Sequence, residues 1–111
     1  MSHIVFDGQT LECTDDGYLL DHKQWSRALA RELASKDGLM LSDQQLTVCY
    51  LLRDFYRRTE TAPTVRALVK LIGKEMGPEK RTSRYLHELF PKGPLRTASR
   101  YAGLPKPARC I

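Results

Sequence analysis

Several things are missing from this chain of 111 residues. It has no glycine-rich phosphate loop, no serine elbow and no pair of histidines at i, i+4; His3, His22 and His87 stand singly on three different predicted elements. Nucleotide hydrolysis, serine-hydrolase chemistry and a helical zinc site therefore have no motif to rest on. No apolar run approaches the roughly 20 residues that span a bilayer, and the first 25 residues lack a signal-type apolar stretch, so a soluble, cytoplasmic protein with no membrane partner is expected. Cysteine is scarce, with three at positions 13, 49 and 110. Their wide spacing fits neither a zinc site nor a disulfide scaffold, and their odd number leaves at least one thiol free.

What is present describes one small folded domain. Hydrophobic residues make up 41% and charged residues 28% of the chain, well away from disordered compositions. The net charge of +5 conceals a split. Residues 1–52 hold four basic and eight acidic side chains and residues 53–111 hold fourteen and five, giving −4 and +9. A basic half of that size suits a polyanion or an acidic protein surface.

The patterning predicts a mainly α fold. Residues 3–6 and 9–12 flank Asp7-Gly8 as a β-hairpin, which must lie on helices to persist. Trp25, Leu29 and Leu33 recur at i, i+4 and i+8 and predict a helix over 22–36. Ser42 with Gln45 forms a capping-box signal for a central helix reaching Thr59. Further helices are predicted from Pro63 to 73–77, over 79–89 and over 95–102, the first two of these forming a helix-turn-helix-like unit made basic by Arg66, Lys70, Lys74, Lys80, Arg81 and Arg84. After this domain, residues 1–102, the prolines at 105 and 107 predict an extended, mobile C-terminal arm over 103–111.

The three cysteines differ in their surroundings. Cys49 falls on the apolar stripe of the central helix and reads as a small core residue; Cys13, after the second strand, reads as half buried and incidental. Cys110 has no apolar surroundings of its own and lies on an arm whose nine residues reach about 30 Å. The thiolate is the nucleophile, and neighbouring cations lower a thiol's pKa. Lys106, Arg109 and, if the arm folds back, Arg100 are the candidates for stabilising the anion or docking the arm, opposed by the α-carboxylate of Ile111. An exposed thiol on such an arm suits carriage of a sulfur-bonded group between partners. Residues alone leave two other readings open: a frayed terminus with an incidental cysteine, and a helix-turn-helix module that binds duplex nucleic acid.

The string Ala102-Gly103-Leu104-Pro105-Lys106-Pro107 ending in Cys110-Ile111 resembles the tail of the DsrC/TusE family of sulfur-carrier proteins. So do Arg53-Asp54-Phe55-Tyr56, Arg66-Ala67-Leu68-Val69-Lys70, Ser83-Arg84-Tyr85-Leu86 and Leu89-Phe90-Pro91-Lys92-Gly93-Pro94, with Gly17-Tyr18-Leu19 and Gln24-Trp25 near the start. The resemblance implies a sulfurtransferase with Cys110 as the catalytic residue, carrying a persulfide, and no cofactor or metal. It implies sulfur received from an upstream relay complex, TusBCD, and delivered to the tRNA 2-thiouridylase for 2-thiouridine at wobble positions, with any tRNA contact indirect. DsrC proteins proper use a second cysteine eleven residues before the last. Here that position is Ser99, so the resemblance favours a single-thiol relay over a DsrC-type redox carrier in dissimilatory sulfur metabolism. The short connection from Asp37 to Leu41 resembles the TusE branch, whereas Gln45-Leu46 departs from the His-Trp that family members often carry.

Overall fold

A computed structural model of the chain describes residues 2–107. The expected hairpin is present as β1 (Ser2–Phe6) and β2 (Gln9–Cys13), antiparallel with Ile4 opposite Leu11. Asp7 and Gly8 both take positive φ, which matches the right-handed twist of a two-residue hairpin. Ile4, Leu11 and Cys13 are buried, so one face of the hairpin closes the helical core.

Five helices follow: α1 (Arg27–Lys36), α2 (Asp43–Thr59), α3 (Val65–Met76), α4 (Ser83–Leu89) and α5 (Pro94–Tyr101). Around the shared core, α5 packs on α1, α2 and α4, and α3 bridges α2 and α4. Leu29, Leu52, Leu68, Ile72, Leu86 and Ala98 are fully buried where these helices meet. The capping box at the start of α2 is complete: Gln45 N–H donates to the Ser42 hydroxyl, and Ser42 N–H donates to Gln45 Oε1 at 2.7 Å. Gln45 also donates from Nε2 to the Leu89 carbonyl at 2.6 Å, so this buried amide ties the cap to the end of α4.

Two predicted helices are broken. Over 22–36, a single 3-10 turn at His22–Gln24 is separated from α1 by extended backbone at Trp25 and Ser26. Ser26 caps α1 by accepting from Leu29 N–H, which sets the helix start there, and the Trp25 indole leaves the predicted stripe for another partner. Over 79–89, a 3-10 turn at Pro78–Lys80 precedes α4, which Thr82 caps by accepting from Tyr85 N–H. Arg81, between turn and helix, lies across Gly73. A Cβ at Gly73 would come within 2.4 Å of the arginine side chain, so the α3–α4 corner needs a residue without one.

Candidate functional site

Cys110 and Arg109, two of the predicted site residues, lie outside the described residues. The structure does show how the chain is delivered to its last residues. Pro94 occupies the first turn of α5, where its missing N–H costs no hydrogen bond. At the other end, Gly103 takes φ +70°, its N–H bonds the Arg100 carbonyl at 3.2 Å, and Leu104 N–H bonds the Ser99 carbonyl at 3.1 Å. This paired pattern is a Schellman C-cap, completed by burial of Leu104.

A helix leaves its last carbonyls without intrahelical partners. Here side chains from distant elements supply them. Trp25 Nε1 donates to the Tyr101 carbonyl at 2.7 Å, and Arg53 Nη1, from the middle of α2, donates to the Ala102 carbonyl at 2.9 Å. Arg53 Nη2 donates to the His22 carbonyl at 3.1 Å, and its guanidinium lies 4.4 Å from the centre of the indole ring. Gly103 is pressed against the same indole, where a Cβ would lie 2.5 Å from Trp25 Cδ1. Beyond it, Pro107 is also buried, and Lys106 Nζ pairs with Asp16 at 3.0 Å. The Thr14 hydroxyl and then Lys106 hold the Asp16 carboxyl below its ordinary pKa.

Arg100, the remaining predicted supporting residue, faces the start of the α1–α2 connection, where it is ion-paired with Asp37. Tyr101 donates its hydroxyl to the same carboxylate at 2.6 Å. Burial alone would raise the Asp37 pKa, but the Tyr101 hydroxyl and Arg100 guanidinium outweigh it and hold the carboxyl below the ordinary range. Burial, and then the adjacent Asp37, push Tyr101 up to about 12. These groups border a cleft of about 330 Å³ that also meets Lys92, Arg96 and an apolar wall of Leu39 and Phe90. Arg100 and Lys106 thus both stand at the root of the predicted arm, each engaged by a carboxylate.

The described thiols are poor nucleophiles. Cys49 is fully buried and its thiol is pushed up to about 12, desolvation outweighing the nearby Arg53. Cys13 is 2% exposed, not half buried as predicted, because Leu19 pairs across it in an isolated bridge; burial raises its pKa as well. Ser99 is buried on α5, and its hydroxyl has no hydrogen-bond partner among the described residues. Among those residues no group of three or more His, Cys, Asp or Glu side chains is arranged to hold a metal, and no helix is long and apolar enough to cross a membrane.

Sequence reasoning missed the roles of Trp25 and Arg53. Trp25 fell on a helical period and read as core, and Arg53 appeared only within a family string. The available signal was a cation set among Leu51, Leu52, Phe55 and Tyr56, where a charge needs a polar partner.

The family model described as "DsrC like protein" matches residues 5–111. Sulfurtransferase TusE of Escherichia coli K12 is 44% identical over 108 residues, covering 97% of this chain and 99% of that protein. Its counterpart from Pectobacterium atrosepticum is 45% identical over the same shares. Among solved structures, DsrC of Allochromatium vinosum superimposes with a TM-score of 0.89 at 39% identity, covering 98% of this chain and 97% of that one. The oxidized γ-subunit of the dissimilatory sulfite reductase (DsrC) from Archaeoglobus fulgidus gives 0.87 at 34% identity, over 99% and 100%.

Proposed function

Because this chain belongs to the DsrC family and its relatives are sulfurtransferases, we propose that it works as a single-thiol carrier that takes a sulfane sulfur onto Cys110. The observation that carries the reading is the contrast among the cysteines. Cys13 and Cys49 are buried with raised pKa values, which leaves Cys110 as the thiol suited to nucleophilic attack.

The Cys110 thiolate attacks the outer sulfur of a donor persulfide, R–S–SH. A new sulfur–sulfur bond forms on Cys110, the donor's own sulfur–sulfur bond breaks, and the donor leaves as its thiolate. The proton stays with the transferred sulfur or passes to that thiolate, and no net oxidation occurs. Such exchange needs an accessible thiolate and a positive surrounding rather than a pocket of acids and bases. Lys106, Arg109 and Arg100 are the cations for that role, with Lys106 and Arg100 exchanging their present carboxylate partners for the anionic sulfur or a docking partner.

The 44% identity to proteins named Sulfurtransferase TusE supports placement in the sulfur relay to tRNA, with a TusBCD-type complex as donor and the tRNA 2-thiouridylase as acceptor in the cytoplasm. Ser99 supports a carrier of this kind over a two-thiol redox carrier, since a hydroxyl cannot close a disulfide. Incubation with a persulfide donor followed by mass spectrometry should show one added sulfur atom on Cys110, absent in Cys110→Ser. Equal loading of Cys110→Ser would end this reading.

A further inference from the structure

Two elements distant in sequence converge on the carbonyls of Tyr101 and Ala102 at the end of α5, Trp25 from the break before α1 and Arg53 from α2, and Gly103 is pressed against the same indole. A helix end that merely needed its carbonyls satisfied could leave them to water. Here the chain's single tryptophan and a half-buried guanidinium are committed instead, and desolvation lowers the Arg53 pKa from its ordinary value. Both terminal nitrogens of the guanidinium are engaged, Nη1 on Ala102 and Nη2 on His22, and its face lies on the indole. Lysine, with a single nitrogen and no plane, cannot reproduce that arrangement.

We propose that Trp25 and Arg53 are positioning residues, forming a seat that holds the pivot at Ala102–Gly103 and thereby sets where Cys110 is presented to a partner. The proposal rests on Cys110 being the sulfur carrier. The seven Cα–Cα steps from Gly103 to Cys110 extend at most about 25 Å, so a tilt of about 10° at the pivot displaces the far end by about 4 Å. That exceeds the roughly 3–3.5 Å separation at which two reacting atoms must meet, so slack at the pivot is a loss of transfer geometry. Beyond the pivot Leu104 and Pro107 are buried, whereas the Lys106–Asp16 pair is about half exposed at both ends, and such pairs contribute little. The seat thus fixes the point at which the chain leaves α5.

The test uses the full chain. With Cys13 and Cys49 buried, a dansyl maleimide reports on Cys110, and Trp25 is the single donor for energy transfer to it. In Arg53→Met, referenced to the tryptophan lifetime of the same unlabelled variant, the donor–acceptor distance distribution should broaden. Sulfur transfer from the upstream protein's persulfide should fall at least about tenfold, whereas uptake from a small polysulfide, which needs only an open thiolate, should fall less than about threefold. An unchanged distance distribution in a variant with native circular dichroism would overturn the proposal. So would a broadened distribution with unchanged protein-to-protein transfer, or equal losses with both donors. If Arg53→Met does not fold, Arg53→Lys and Gly103→Ala carry the same measurements. Should the unaltered protein take up no sulfur at all, the carrier reading fails, while the distance measurement still reports on the pivot.

Discussion

Two groups among the cations of the basic half differ in what they touch. On α3, Arg66, Lys70 and Lys74 are exposed and have no carboxylate partner among the described residues. Around the end of α5, Arg53 holds two backbone carbonyls, Arg100 holds Asp37 and Lys106 holds Asp16. The first group contributes a field felt over about a Debye length and little to the fold. The second group fixes backbone and neighbouring elements in place. Equal formal charge therefore does unequal work, and the excess of Lys and Arg in the second half is not one continuous binding surface.

The largest test of that difference is Arg53→Ala, which leaves two carbonyls and the indole face without their partner. We expect a loss of about 2–3 kcal/mol in stability by urea unfolding. A smaller effect of opposite sign is expected at a buried position on α5: Ser99→Ala removes a hydroxyl with no hydrogen-bond partner among the described residues and should stabilise by about 1 kcal/mol, read as a raised urea midpoint.

Asp37→Asn should lower the thermal midpoint at neutral pH by less than Arg53→Ala does. A carboxyl whose folded pKa is lowered stabilises above its unfolded value, ordinarily near 3.8, and loses that contribution as pH falls through the lowered folded value. The gap between Asp37→Asn and the unaltered protein should therefore persist at pH 6 and close below about pH 4. The smallest effect belongs to the first group: the double variant Lys70→Ala, Lys74→Ala should stay within about 0.5 kcal/mol of the parent. Salt-dependent retention of duplex DNA that disappears in this variant would instead give the α3 face a polyanion partner.

Much of the fold could be read from local signals because local physics decides those places. Asp7-Gly8 needs positive φ, Ser42 and Gln45 satisfy each other across one turn, and Pro94 starts a helix. The errors arose where tertiary partners prevail over periodicity. Trp25 has the spacing of a core helix residue, but the carbonyl it serves is 76 positions away, and Ser26 caps the helix one residue later. Thr82 and Arg81 likewise break a stretch whose composition suits one helix. The arm's last residues carry the sequence signal for its proposed chemistry. Its anchorage was not, because the contacts of Arg53 with Ala102 and of Lys106 with Asp16 join charges and carbonyls far apart in sequence, with no spacing rule to announce them.

If Cys110 carries a persulfide as proposed, the burial of Cys13 and Cys49 also bears on how long that cargo survives. A persulfide that meets a second open thiol collapses: the thiolate attacks the inner sulfur, a disulfide forms, and hydrosulfide is lost to solution. Neither described cysteine offers such a thiol, and Ser99 stands where a third might have been. On the proposed carrier reading, neither thiol would discharge a persulfide on Cys110 from within the same chain.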